Sequence, residues 1–441
     1  MTPDEWCAAA VACAEEQERR TGEPRDQLEL ALTDFYWLMR DIPIAADEAY
    51  KALRETQLER AGAQRAADLL GVGSAPSWKP ASGASIEAVA ATVAIAARGA
   101  DAALWSLRDR ERPANPNLDY RAGSKPRAVF VIPREIEPKP FGKKGDSKPF
   151  VRRGFRFHRV VPAEIGGARV RLVLPQLTGP GMNGEASMLA AAMFTQVDLD
   201  TTRSADGTTF EVVGHLNAAA VAADFVQQVA SLHQPLAAGA GCLAAVWPEL
   251  TVTPEMLDEL KVVLAERGLA DDPGHPPGFL VAGSWHVRTG AALHNTAPVL
   301  DGIGLTLFTF NKMRRFPYEG ADEGIDPGEE LPILLYGDRL VGFAICRDFC
   351  ELAGTVPALE MGVDLMVVPS YGNEQTWNGH VDTAKKLRVN HNARTFMVQQ
   401  SFPPRKGGGG WVIGAPDDPD KAKIDECAQV GHWQAYAIDA T

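Results

Sequence analysis

A chain of 441 residues, 45% hydrophobic and 23% charged, has an ordinary globular composition and enough length for more than one core. That composition excludes a disordered chain, and no uninterrupted run approaches the roughly 18 apolar residues of a membrane span. A formal net charge of -13 opposes nucleic acid and anionic membranes, so neither is expected as a partner.

The N-terminus, Met1-Thr2-Pro3-Asp4-Glu5, is acidic and lacks a basic region ahead of an apolar stretch, which predicts no secretory signal. Six scattered cysteines without a CxxC argue against a disulfide scaffold or a structural zinc site. A cytoplasmic protein is expected.

Residues 1–110 read as a small helical domain. Leu28, Leu32, Phe35 and Met39 share one helical face, and a longer stripe runs through Ile86, Ala90, Val93, Ala97, Ala100, Leu104 and Leu107. Gly71 to Gly83, with Pro76 and Pro80, breaks these helices. The apolar stripe must be buried. It is expected to dock on its own neighbours, leaving the later domain able to fold alone.

Residues 111–167 read as a Pro-rich, basic connector. Between Arg134 and Arg159 nine Lys or Arg face three acids, interleaved with Phe141, Phe150, Phe155 and Phe157. This local charge inversion could bind a phosphate-bearing partner, but a solvated connector pairing with the acidic body is the expectation.

From 168 to 441 short apolar runs alternate with helical stretches. Val170–Leu174, Leu243–Trp247, Phe279–Ala282, Leu340–Ile345, Leu365–Val368 and Phe396–Val398 read as buried strands. Asn217–Leu232 and Glu255–Arg267 read as helices, the second opened by Thr253 as N-cap and Pro254. The alternation implies an α/β domain with covered sheet faces.

Three polar residues follow apolar strands: Glu249 after Leu243–Pro248, Lys312 after Leu305–Asn311, and Cys346 after Leu340–Ile345. Open α/β sheets place ligands beyond the carboxyl ends of their strands. A thiol nucleophile, a carboxylate base and an ammonium for oxyanion charge would suit acyl transfer. Singly, each has a plainer reading: Cys346 as a small buried hydrophobe, Glu249 as a loop acid, Lys312 as a surface lysine. Order and context together favour the catalytic one. His286, His294 and His380 show no HxH or HExxH spacing, so no metal site is expected. Gly407–Gly410 lacks the Lys-Ser/Thr of a phosphate loop and reads as a flexible loop.

These segments resemble the nitrilase, or carbon-nitrogen hydrolase, superfamily, which carries Glu, Lys and Cys in this order. Val246-Trp247-Pro248-Glu249-Leu250 matches its hydrophobic-Pro-Glu segment. Ala282-Gly283-Ser284 and His294-Asn295-Thr296-Ala297 match the strands before its Lys, and Lys312-Met313-Arg314-Arg315-Phe316 the Lys itself. Ile345-Cys346-Arg347-Asp348 matches its cysteine elbow, and Gly362-Val363-Asp364-Leu365 leading to Pro369-Ser370 a later strand. The resemblance covers about 168–441; residues 1–110 lie outside it. Arg347 stands where the family is commonly aromatic, Asn392 where a Glu is usual, and 178–215 exceeds the usual first loop.

What the resemblance implies is a four-layer α-β-β-α sandwich, and hydrolysis of a non-peptide carbon-nitrogen bond, in an amide before a nitrile. Glu249 would act as base and acid, Cys346 as nucleophile, and Lys312 with the backbone N–H of Arg347 as oxyanion holders. A second carboxylate is assigned to Glu319, with Glu323 as the alternative. No cofactor is implied. The substrate would be a small amide-type molecule and the protein a homodimer or higher homo-oligomer. An acyltransferase using the same triad and a non-catalytic, partner-binding scaffold are the competing readings.

Overall fold

A computed structural model of the chain describes residues 1–70, 78–107, 116–117, 121–122, 125–126, 128–133, 155–174, 188–232, 241–269, 276–337, 339–350, 357–391, 393–404, 408–415, 424–426 and 433–438. Its contacts divide the chain into two units, Met1–Glu164 and Ile165–Thr441.

The first unit holds the helices Pro3–Arg19, Pro24–Arg40, Ile44–Ala52, Glu55–Leu70 and Ile86–Ser106. The first opens with a capping box in which Thr2 and Glu5 satisfy each other's backbone N–H groups. Leu28, Leu32, Phe35 and Met39 are all buried, as the spacing requires. The longer stripe is buried from Ala90 to Leu104 and ends before Leu107, which is exposed. Glu55–Leu70 packs closely on Ile86–Ser106 at two glycines. A Cβ on Gly99 would meet Cγ of Arg65 at 2.3 Å, and one on Gly62 would meet Cβ of Arg98 at 2.7 Å.

Counting uninterrupted apolar residues understates Ile86–Ser106, which by length and composition alone could cross a membrane. Here it is an alanine-rich core helix, with 67% of its most apolar window buried in the protein.

Part of the expected connector belongs to this first unit. Val129–Pro133 and His158–Pro162 pair antiparallel, and the buried carboxylate of Asp101 accepts the N–H groups of Arg156 and Phe157 and faces Nδ1 of His158 at 2.8 Å. Val129 and Val131 of the first strand and Val160 of the second pack on the helical core, which the proline count concealed. The basic residues Lys143, Lys144, Arg152 and Arg153, with all of 134–154, lie outside the described residues, as does most of the Gly71–Gly83 break.

The second unit is built on two sheets. One is six-stranded, in the order Thr306–Asn311, Ala292–Asp301, Phe279–Thr289, Cys242–Glu249, Met188–Ala191, Gln434–Ala437. The other runs Ile424–Glu426, Gly410–Gly414, Arg394–Ser401, Leu365–Gly372, Arg339–Phe343, Glu330–Tyr336, Ala168–Val173. The central neighbours in each are parallel: Cys242–Glu249 with Phe279–Thr289, and Leu365–Gly372 with both Arg339–Phe343 and Arg394–Ser401. Strands buried on both faces are apolar throughout rather than alternating, which is why short Val, Leu and Ala runs marked them.

Successive residues along each strand point to opposite layers, and residues two apart share one. Ala244, Val246, Phe279 and Val281 meet Val341, Phe343, Val367 and Phe396 between the sheets. Ala245, Trp247, Leu280 and Ala282 face outward onto Val221, Phe225, Met256 and Leu260 of the helices Ala218–Ser231 and Pro254–Gly268. The helix Glu374–His391 packs on Leu365–Gly372 and Arg394–Ser401. The layers therefore read α-β-β-α. Thr253 caps Pro254–Gly268 through Met256 N–H, as expected.

Two expectations need correction. The described part of the long segment 178–215 is not a loop: Met188–Ala191 joins the six-stranded sheet, and Leu199–Arg203 pairs with Thr209–His215. The glycine run also has a packing reason. A Cβ on Gly408 would meet the Thr195 carbonyl oxygen at 2.3 Å, at a φ of +82° that favours glycine.

Because each unit has its own core, residues 165–441 expressed alone are expected to unfold in one cooperative transition. Insolubility, or a melt without cooperativity, would show that the two units fold only together.

Candidate active site

Glu249, Lys312 and Cys346 each lie at or just beyond the carboxyl end of a strand, and the two sheets bring them together. Glu249 ends Cys242–Glu249, opposite Ser284 of the neighbouring strand. The chain then turns at Leu250 (φ 57°), and Gly283 lies so close that its Cβ would sit 2.3 Å from the Pro248 carbonyl oxygen. Only glycine fits there, which gives the Gly-Ser landmark its physical reason.

Lys312 directly follows Thr306–Asn311, and its backbone N–H donates to the Asn295 carbonyl at 2.8 Å. Its side chain is 2% exposed, with Nζ 2.7 Å from Oε1 of Glu249 and 2.8 Å from Oε2 of Glu323. Burial works against the ammonium, but the two carboxylates outweigh it and hold the lysine charged well above its ordinary range.

Cys346 opens a short 3-10 turn, Cys346–Phe349, with a φ of 43°. A non-glycine residue there is held by its surroundings and marks a sharp strand-to-turn elbow. The thiol is buried and lies 3.6 Å from the Tyr371 carbonyl oxygen. Burial, and then the nearby Glu249, push the thiol up, while Lys312 and Ser370 oppose them. The resting group is a thiol, and ionising it requires a proton acceptor beside it. Arg347 follows in the turn, and its guanidinium reaches the Arg315 carbonyl.

The second carboxylate beside Lys312 is that of Glu323; Glu319 pairs with Arg203 instead. Glu319 and Gly320 both have positive φ and make the two-residue turn of a hairpin between Pro317–Tyr318 and Ala321–Glu323. That turn puts Glu319 in solvent, 65% exposed and 3.6 Å from Arg203. Along the returning strand Ala321 and Glu323 point inward while Asp322 points out. Strand alternation therefore chooses the inner acid.

Glu323 Oε2 also accepts the Phe316 N–H at 3.1 Å. Burial would raise this carboxyl, but Lys312 and then His286 hold it well below its ordinary range. Urea denaturation should find Glu323→Ala about 3 kcal/mol or more less stable, because Lys312 loses a buried partner. Glu319→Ala should leave the midpoint unchanged; equal losses would refute this placement.

Three contributors were not singled out from the sequence as site residues. Asn295 Nδ2 donates to Oε1 of both Glu249 and Glu323, each at 2.9 Å. The Tyr371 N–H donates to Glu249 Oε2 at 3.0 Å. His286, for which no metal role was expected, lies 3.0 Å from Glu323 Oε1. The Asn in His294-Asn295-Thr296 was a usable signal, since a buried amide in an apolar strand needs partners.

Behind the cysteine, Ser370 Oγ lies 3.1 Å from His380 Nε2, and His380 Nδ1 donates to the Phe349 carbonyl. Burial pushes His380 down to about 4, so it is neutral at pH 7. Cys350 is buried four residues beyond the nucleophile candidate. Among the described residues, no group of three His, Cys, Asp or Glu is placed to hold a metal ion. Asn392 lies outside the described residues.

Asp348 joins the elbow to the lysine segment, since both its carboxylate oxygens accept the Met313 N–H, at 3.1 and 3.0 Å. Burial pushes its carboxyl up to about 7. A raised carboxyl stabilises the fold while its proton is bound. The contribution is therefore complete below the unfolded value near ~3.9 and is lost as pH rises through about 7. Asp348→Asn should flatten that fall across roughly pH 4 to 8 in thermal melts. An unchanged slope would rule Asp348 out as its source.

No protein-family model matches the chain, and no curated protein matches it. Among solved structures it is similar to an amidase from Nesterenkonia sp., with 21% identity, a TM-score of 0.37, and 55% of this chain and 87% of that chain covered. It is also similar to a cysteine-to-alanine mutant of the Nesterenkonia AN1 amidase from the nitrilase superfamily, with 19% identity, a TM-score of 0.37, and 53% and 85% of the two chains covered.

Proposed function

We propose that residues 165–441 hydrolyse a non-peptide carbon-nitrogen bond in a small amide through a thioester on Cys346. The observation that carries this reading is the buried ammonium of Lys312 shared between Glu249 and Glu323, 2.7 and 2.8 Å away, beside a cysteine in a left-handed elbow. The sequence resemblance to carbon-nitrogen hydrolases supports the same chemistry.

Glu249 takes the thiol proton as sulfur attacks the carbonyl carbon. Lys312 and the backbone N–H of Arg347 hold the resulting oxyanion. Collapse breaks the carbon-nitrogen bond, and Glu249 returns its proton to the departing amine. A water molecule then gives a proton to Glu249 and attacks the thioester. Collapse breaks the carbon-sulfur bond, Glu249 returns the proton to sulfur, and the carboxylic acid leaves.

Incubation with a panel of aliphatic and aromatic amides and nitriles should release ammonia and give an acyl adduct on Cys346 by intact mass. Hydroxylamine added to the same reactions reports an acyltransferase, which would form hydroxamate in preference to acid. Neither ammonia nor adduct across the panel, with Cys346 still reactive toward iodoacetamide, would count against the reading.

A further inference from the structure

Two carboxylates touch Lys312, and the hydrogen bonds around them differ in number. An ionised carboxylate offers about four acceptor sites. On Glu323 all four are taken: Oε1 by Asn295 Nδ2 and His286 Nε2, Oε2 by Lys312 Nζ and Phe316 N–H. On Glu249, among the described residues, three are taken: Oε1 by Lys312 Nζ and Asn295 Nδ2, Oε2 by Tyr371 N–H.

His286 supplies the fourth bond, and its geometry leaves little freedom. It is buried on Phe279–Thr289, and its Nδ1 accepts the Val212 backbone N–H at 2.9 Å. A backbone N–H can only donate, so Nδ1 carries the lone pair and the ring proton sits on Nε2. That proton points at Glu323 Oε1, 3.0 Å away.

We propose that His286 is a positioning residue that commits Glu323 to holding Lys312 and leaves Glu249 as the carboxylate with an open acceptor for the Cys346 proton. His286 thereby divides the labour of two otherwise similar acids. The proposal rests on Cys346 being the nucleophile.

Without His286, Oε1 of Glu323 regains a free lone pair and loses a donor that favours its charged form. The charged groups near it are then Lys312 and, across the ammonium, Glu249. Protonation of Glu323 moves to higher pH, and with it the acid limb of cysteine reactivity.

The test uses the full chain and iodoacetamide, following alkylation of Cys346 by peptide mass spectrometry across pH. His286→Phe and His286→Leu lack the donor, whereas His286→Gln restores one. The donorless variants should have the acid limb raised by about one unit, so that at a pH on that limb they react about tenfold more slowly. His286→Gln should recover most of the rate and the original limb. Melting curves identify which variants fold. Wild-type rate and limb in a folded donorless variant would overturn the proposal, as would failure of His286→Gln to recover either. Slow alkylation of Cys346 in the unmutated protein relative to the other cysteines would instead overturn the nucleophile itself, a result independent of His286.

Discussion

Cys346→Ala is expected to abolish turnover of any amide the protein accepts while leaving the melting temperature within a few degrees. The sulfur forms the bond that carries the acyl group, and alanine supplies no replacement. The side chain is small and touches the Tyr371 carbonyl oxygen only at 3.6 Å, so its loss leaves a minor void. Cys350→Ala should retain most of the activity. It is buried four residues beyond Cys346, past the end of the 3-10 turn. Activity near the wild-type rate in Cys346→Ala would end the thioester mechanism.

Lys312→Met should produce the second large effect, on both rate and stability. Methionine matches the length of the stem but leaves Glu249 and Glu323 facing each other without the cation between them. Breaking a buried pair by removing one partner typically costs about 3–5 kcal/mol, and here two acids lose their partner. Loss of the oxyanion donor adds a fall in kcat of about a hundredfold or more. The two effects can be separated by assaying below the lowered melting point. If stability falls and kcat does not, Lys312 is a structural counter-ion and the oxyanion rests on backbone N–H groups.

The second domain was legible because its strands are buried on both faces. Leu243–Trp247 and Leu365–Val368 carry no polar residue, and each ends where a functional side chain or its backbone partner begins. Glu249, Lys312 and Cys346 could therefore be found at strand ends, and their order and context together favoured the catalytic reading. The N-terminal unit was read from periodicity, which located Leu28, Leu32, Phe35 and Met39 on a buried face. The same periodicity was silent on Val129–Pro133 and His158–Pro162. Their pairing joins segments some thirty residues apart, and local pattern carries no trace of such a partner.

What the sequence determined by itself was the set of reactive types and their order, because a strand's apolar run and its polar terminus are neighbours along the chain. What only the tertiary structure decided was which acids face Lys312. Glu319 and Glu323 are four residues apart in one acidic loop. A two-residue turn with positive φ sends the first into solvent, and strand alternation turns the second inward. Asn295, His286 and the Tyr371 N–H come from three separate strands, so their convergence on two carboxylates exists only once the sheets pack. Hydrogen-bond capacity is a property of that packed cluster, and it distinguishes a carboxylate that can take a proton from one that can only hold a lysine.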